Sequence, residues 1–460
     1  MFGISCRAAQ YFSNQSFWGD ESFLILNVRA KTASQLVGSL TTTYAGNEVS
    51  AQSAPPAYLI SLKWLAGHMG ETEFAYRLPA LVMGCLALIL MAGLAFAVLE
   101  PPAATVVVGM AAVCDHLIES SALVKQYSGD VATAALLIWL AVRGAKQSAT
   151  ARLATVTVAG AILVWWSEPI VFMTVGIALA LLPQVLKENG ESRGWGIWFA
   201  CCIPGGVSFA AIYFLSMRYQ QSPHLFEFWI DYFPDYRHPA RIPVWLFKQI
   251  YGLFNYPYHP FGVIMLGLAV FGLVRRGMTQ LAAICLLPIG LTLVAAMLHL
   301  YPFGGARVDF FLVPGVLLLA GMGLPSERPQ RAVAAAAPML LSGLIQAGFH
   351  LYQPRCDSHL RPALEFVKEH YQAGDTIVLT GGATWPVFYT YWPEPPGRVI
   401  VLSDRESVLV SGRFWCLCEF APGEYLKKRK PNIDMVSAGA EPVAGNSYLG
   451  KGGVAMLYQR

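Results

Sequence analysis

Trp18-Gly19-Asp20-Glu21 sets two carboxylates side by side, with the aromatic-polar run YFSNQSF before them and Asn27 and Arg29 after. At the edge of apolar sequence such a pair is costly unless it is solvated, paired or used. An aspartate at a water–membrane boundary can take the proton of a hydroxyl or amine as that group attacks an anomeric carbon. Asp is also a good helix N-cap, and for these four residues alone the cap is the better explanation.

Three further clusters stand in the same kind of setting. Asp115-His116, Glu119 and Lys125-Gln126-Tyr127-Ser128-Gly129-Asp130 flank the ends of two apolar runs. A lysine there suits a phosphate as a point charge; a Lys–Asp pair closing the turn is the plainer alternative. Tyr301-Pro302-Phe303-Gly304-Gly305-Ala306-Arg307 follows another run. Its glycines let backbone approach a ligand closely, and Arg307 can clamp two phosphate oxygens or snorkel to headgroups. Upstream, Gln52-Ser53-Ala54-Pro55-Pro56-Ala57-Tyr58 contains the Pro-Pro step that starts a helix sharply. Tyr58, Leu62 and Trp64 suit a short helix lying flat at an interface. Tyr76-Arg77-Leu78-Pro79 comes next, where Arg77 can snorkel, pair a carboxylate or meet a lipid phosphate.

The elements that must hold these groups are membrane helices. Of 460 residues, 55% are hydrophobic and only 13% charged, and mean hydropathy is +0.48. A water-soluble chain carries nearly twice that charge, about a quarter of its residues. A net charge of +4 is too slight to argue for nucleic acid. Spans are predicted near 77–98, 103–119, 130–143, 152–166, 169–186, 195–216, 260–274, 279–298, 308–324 and 332–350. Several fall short of the roughly 20 residues of an upright helix, and 152–186 divides at Trp165-Trp166-Ser167. If the first span runs inward, Arg143, Lys146, Arg152, Lys187, Arg193, Arg275, Arg276, Arg328 and Arg331 fall in cytoplasmic loops, as the positive-inside rule asks. Residues 11–76, the 119–130 turn, the 217–259 loop, the 299–307 turn and the tail then lie outside. The first ten residues are too short and mixed to span, and an upstream helix is expected to be missing.

From about residue 352 the character changes. RPALEFVKEHYQ has helical spacing, while DTIVLT, RVIVLS and VAMLYQ read as short buried strands of a small α/β domain. Cys416-Leu417-Cys418 lacks paired CxxC spacing, and Cys356 can either bond one of these thiols or remain free. Lys427–Lys430 reads as a solvated face, with anionic headgroups the alternative.

Taken in order, the DE pair, Gln-x-x-Pro-Pro, Gly-x-x-Glu-x-x-x-Arg-Leu-Pro, KQYSxD and YPFGGxR resemble the GT-C glycosyltransferases of the dolichyl-phosphate-mannose-protein mannosyltransferase type. That is the glycosyltransferase 39-like group, which includes the bacterial aminoarabinose transferases. The likeness covers roughly residues 11–350. It implies an α-helical polytopic membrane protein of GT-C type with a small C-terminal extracytoplasmic α/β domain. Residues 1–76 would hold the truncated first helix and first outer loop with interfacial helices, 77–351 the transmembrane core, and 352–460 the outer domain.

The resemblance further implies inverting transfer of a hexosyl- or pentosyl-type sugar from a polyprenyl-phosphate donor to a lipid, glycan or protein acceptor, outside the plasma (inner) membrane. Asp20 matches the family's first-loop aspartate, with Glu21 its partner. Lys125, Tyr127, Arg307 and Arg77 match positions suited to the donor phosphate. Leu123-Val124 stand where many relatives carry an acid, so Glu119 or Asp115 is the expected second acid. No ligand cluster in the sequence demands a metal, although a divalent ion is compatible with the group. A lipid transporter or flippase without glycosyl transfer, or a non-enzymatic scaffold, are the competing readings. The paired broken helices of transporters are not evident.

Overall fold

A computed structural model describes residues 1–49, 53–143, 147–325, 327–355, 358–402, 408–420, 430–450 and 452–460. Gln52, Lys146, Cys356 and most of the 427–430 basic run, which carried sequence expectations, lie outside the described residues. Each of the ten expected spans falls on helical structure, but not each is a straight crossing. Among the described residues, five helices are long and apolar enough to cross a membrane alone: Glu73–Val98, Ile170–Asn189, Glu191–Gln220, Gln280–Met297 and Pro329–Tyr352. Pro101–Val113 and Asp115–Ala122 form a pair bent by 56°, and Pro239–Tyr258 turns by 106° into Gly262–Arg276.

The first bend has a visible cause. Cys114 is extended, so the helix before it stops with open carbonyls. The fully buried Arg7 donates to two of them, at 3.1 Å to Ala111 and 3.3 Å to Ala112. Arg7 sits on an N-terminal helix, Phe2–Phe12, which packs on Glu73–Val98 and Pro329–Tyr352. The first ten residues, too short and mixed to span, lie on this helix from Phe2 onward. The expected division of 152–186 is present as Ala149–Leu163 and Ile170–Asn189, with the turn between them.

Small residues let these helices approach closely. A Cβ on Gly176 would lie 2.7 Å from the Pro288 ring, and one on Gly343 would lie 2.5 Å from Val113. The bundle has two rims. At one, Ala149 N donates to Glu188 at 2.8 Å and Arg275 pairs with Glu327 at 3.3 Å. At the other, Ala57 N meets Trp165 O at 3.0 Å, Ala54 N meets Gln220 Oε1 at 2.9 Å, and His116 stacks on Tyr256 at 4.3 Å. The candidate groups all gather at this second rim.

Two structures cap that rim. The first is helix Gly19–Ala30, the hairpin β1 (Thr42–Tyr44) and β2 (Asn47–Val49), and helix Pro56–Met69, which Pro55-Pro56 opens as expected. Tyr58 and Leu62 are buried against Leu24, Ile25 and Val28, while Trp64 is exposed. The second follows the last long helix. Its strands are β3 (Thr376–Thr380), β4 (Val399–Leu402), β5 (Arg413–Glu419), β6 (Glu441–Leu449) and β7 (Gly453–Gln459), in the order β4-β3-β5-β7-β6. β4, β3 and β5 run parallel and β7 is antiparallel to β5.

The central strand β5 (RFWCLCE) was not anticipated; only its two thiols drew attention in the sequence. Cys416 and Cys418 are in fact buried on it. The edge strand β6 was missed because Pro442, Gly445 and Asn446 carry the chemistry of a turn. Helix Thr384–Tyr391 docks this unit onto Gly19–Ala30. Phe23 meets Trp385 edge-on at 5.6 Å, Arg29 Nη1 donates to Thr390 O at 2.7 Å, and Phe17 N donates to the Tyr391 hydroxyl at 2.7 Å.

Candidate functional site

Asp20 lies in the first turn of helix Gly19–Ala30, not at its N-cap. Its carboxylate is free for another partner, and it takes Arg307, with Nη2 3.0 Å from Oδ2. Residues 20 and 307 thus meet across the rim, both only part-buried. The Arg307 guanidinium also stands over three rings, 5.8 Å from Trp18, 5.7 Å from Phe228 and 5.9 Å from Trp229. Phe228 and Trp229 come from the 217–259 loop, so that loop shapes the site as well as connecting spans.

Lys125 is buried in the turn before helix Tyr127–Arg143. Burial pushes its ammonium down to about 8; Asp20 pulls it up and Arg307 pushes it down. Glu21 also pulls it up, so Lys125 feels two carboxylates and one other cation. Beside them opens a cavity of about 370 Å³, lined by Trp18, Tyr127, Arg307, Phe310, His116 and Glu119 among others. Tyr127 stacks on Phe310, ring centroids 5.6 Å apart.

No family model and no curated protein sequence matches the chain. Solved structures do. ArnT from Cupriavidus metallidurans bound to undecaprenyl phosphate superposes with a TM-score of 0.52 at 10% identity, over 99% of this chain and 97% of that one. Its apo state gives 0.51 and 11%, with the same coverage. The fold is ArnT-like. It is thus of the GT-C type, a helical membrane core with a C-terminal sheet region.

Within this ArnT-like frame the remaining expected residues part ways. Glu21 and Arg77 do not face the cavity. Arg77 Nε and Nη2 grip the two oxygens of the fully buried Glu21 at 3.0 and 2.6 Å. Arg77 also donates to the carbonyls of Gln15 and Ser16, at 2.6 and 3.0 Å. Glu21 accepts from Val124 N at 2.7 Å and Trp18 N at 3.2 Å. This geometry ties the segment around residues 15–21 to the Lys125 turn, and it places Arg77 in the wall behind the site.

Asp115 and Glu119 separate too. Glu119 lines the cavity, while both oxygens of Asp115 are taken at 2.6 Å, by His350 and by Arg355. Asp115, His116 and Glu119 do bring ligand atoms within 4.8 Å of one another, a clustering their Asp-His-x-x-Glu spacing permits and the sequence reading passed over. Arg355 pairs with both carboxylates, with Asp115 at 2.6 Å and Glu119 at 3.2 Å.

The sequence reading also missed Glu419. This buried carboxylate at the end of β5 lines the cavity and accepts the Gly19 N–H at 3.3 Å and the Ser358 hydroxyl. The signal was a lone acid closing an otherwise apolar run.

Proposed function

We propose that the protein is a membrane glycosyltransferase that moves a sugar from a polyprenyl-phosphate donor to an acceptor presented at the rim bearing the sheet unit, which is the extracytoplasmic side. The observation that carries this is the ion pair of Asp20 with Arg307, which lines the cavity, formed between stretches of sequence nearly 300 residues apart; the buried Lys125 feels the charge of both. The ArnT-like fold, one neighbour of which is bound to undecaprenyl phosphate, supports the class of donor.

In this reading the donor phosphate lies between Lys125 and Arg307, and Tyr127 flanks it. Binding draws Arg307 toward the phosphate and releases Asp20 from its ion pair. The acceptor hydroxyl or amine then attacks the anomeric carbon from the face opposite the phosphate. A new bond forms to the acceptor, the bond from the anomeric carbon to phosphate oxygen breaks, and Asp20 takes the acceptor's proton. Charge that was shared with the sugar settles on the leaving phosphate. Cations already fixed beside it stabilise that state more than the ground state, and the attack inverts the anomeric centre. Glu119, across the cavity, is the second acid within reach of the acceptor.

The test is membranes carrying the protein, incubated with a panel of labelled polyprenyl-phosphate sugars and followed by mass analysis of the products. Transfer that disappears in Asp20→Asn at normal expression supports the enzyme. Wild-type membranes that move lipid without forming a glycosidic product would support the flippase reading instead.

A further inference from the structure

Helix Gly19–Ala30 begins with N–H groups that have no partner inside the helix. Trp18 N donates to Glu21, whose position is fixed from the membrane core by Arg77. Gly19 N, one residue on, donates to Glu419 Oε1 at 3.3 Å, across 400 residues of sequence. Glu419 is itself anchored by the Ser358 hydroxyl, and its own backbone N–H meets Thr384 Oγ1 at 2.9 Å. A carboxylate at this end of a helix also opposes the positive pole of the helix dipole.

Contact between the two units is close. A Cβ on Gly19 would fall 2.9 Å from Ala383 Cβ, nearer than two such atoms approach without something shifting. Asp20 is the next residue, held between a grip from the bundle and a grip from the sheet unit.

We infer that Glu419 is a positioning residue for Asp20: the sheet unit reaches over the rim to fix the first turn of the helix, and so sets how Asp20 faces Arg307. This rests on the role given to Asp20 above. A displacement of about 1 Å at a reacting group can lower turnover on the order of 100-fold, so a modest loosening here has a large readout.

The experiment compares the full-length wild type, Glu419→Ala and Glu419→Gln in detergent or nanodiscs. Glu419→Ala should raise amide exchange in peptides covering residues 17–24 while leaving β3 and β7 protected. It should lower kcat for transfer by roughly 10- to 100-fold with little change in donor KM. Glu419→Gln retains an acceptor oxygen and should recover most of both. Because Glu419→Ala could fail to fold, a second route uses the packing contact. Gly19→Ala should reproduce the loss, and the double variant Gly19→Ala with Ala383→Gly should restore it.

Unchanged exchange at 17–24 in Glu419→Ala, or raised exchange with unchanged kcat, overturns the inference. So does failure of Ala383→Gly to rescue Gly19→Ala. A wild type that transfers no sugar from any donor, yet shows the exchange pattern, sinks the glycosyltransferase reading, and the catalytic purpose of the tether falls with it.

Discussion

Asp20 and Glu21 are neighbours in sequence, and each meets an arginine, yet the two pairs belong to different kinds of chemistry. Glu21–Arg77 is buried on both sides, bidentate, and surrounded by carbonyl and N–H partners that complete it. Asp20–Arg307 is a single contact at 3.0 Å at a cavity wall, with both groups part-exposed and aromatic rings around the guanidinium. A fully buried pair holds structure, whereas a part-exposed pair at a cavity wall is one that a ligand can reach.

Breaking the buried pair gives the largest expected effect. Arg77→Ala strands a desolvated carboxylate and should cost about 3–5 kcal/mol, read as a collapse of the thermal transition in detergent before any assay of transfer. If Arg77→Ala instead melts near the wild type and weakens only donor binding, the division between the pairs fails. Asp20→Asn should do the reverse. It should leave the melting temperature nearly in place and slow transfer by about 10²- to 10⁴-fold, the range for loss of a general base.

A finer distinction comes from Arg307→Lys. It retains the charge but not the fork, so donor KM should rise on the order of tenfold, an effect of about 1.4 kcal/mol, with stability unmoved. Lys125 supplies a pH signature. With its ammonium held near 8, it is charged below that pH and loses its charge above it. Donor KM should therefore climb between pH 8 and 9, and Lys125→Arg should move the rise to higher pH. A donor KM flat from pH 7 to 9 would detach Lys125 from the phosphate. The smallest effect belongs to a pair outside both classes. Arg29–Glu71, half-exposed at Glu71, should contribute under about 1 kcal/mol when Glu71 becomes Ala.

Much of this was legible before the structure. The apolar runs mark the helices because a bilayer admits few other backbones, and the ordered polar clusters mark the rim. Asp20, Lys125 and Arg307 stood out by residue type and setting, but their roles came from the order of the motifs and the resemblance it carries. Pairing was not legible. Nothing local says that Glu21, not Asp20, takes Arg77, because that choice depends on which face of the first helical turn meets the bundle. Glu419 was hidden in a strand whose apolar residues resemble those of any buried β-segment. The bend at Cys114 depends on Arg7, more than 100 residues upstream, and no window of sequence contains both.

The clasp between residues 384–419 and residues 17–29 has a consequence for how the molecule comes into being. The helix carrying Asp20 is synthesised before the groups that seat it, 400 residues ahead of Glu419. During translation, a nascent chain that has just emerged past Arg307 already carries both cations, but its early helix lacks the anchor that β5 later provides. In this reading, the first turn of that helix is seated only after β5 has been made.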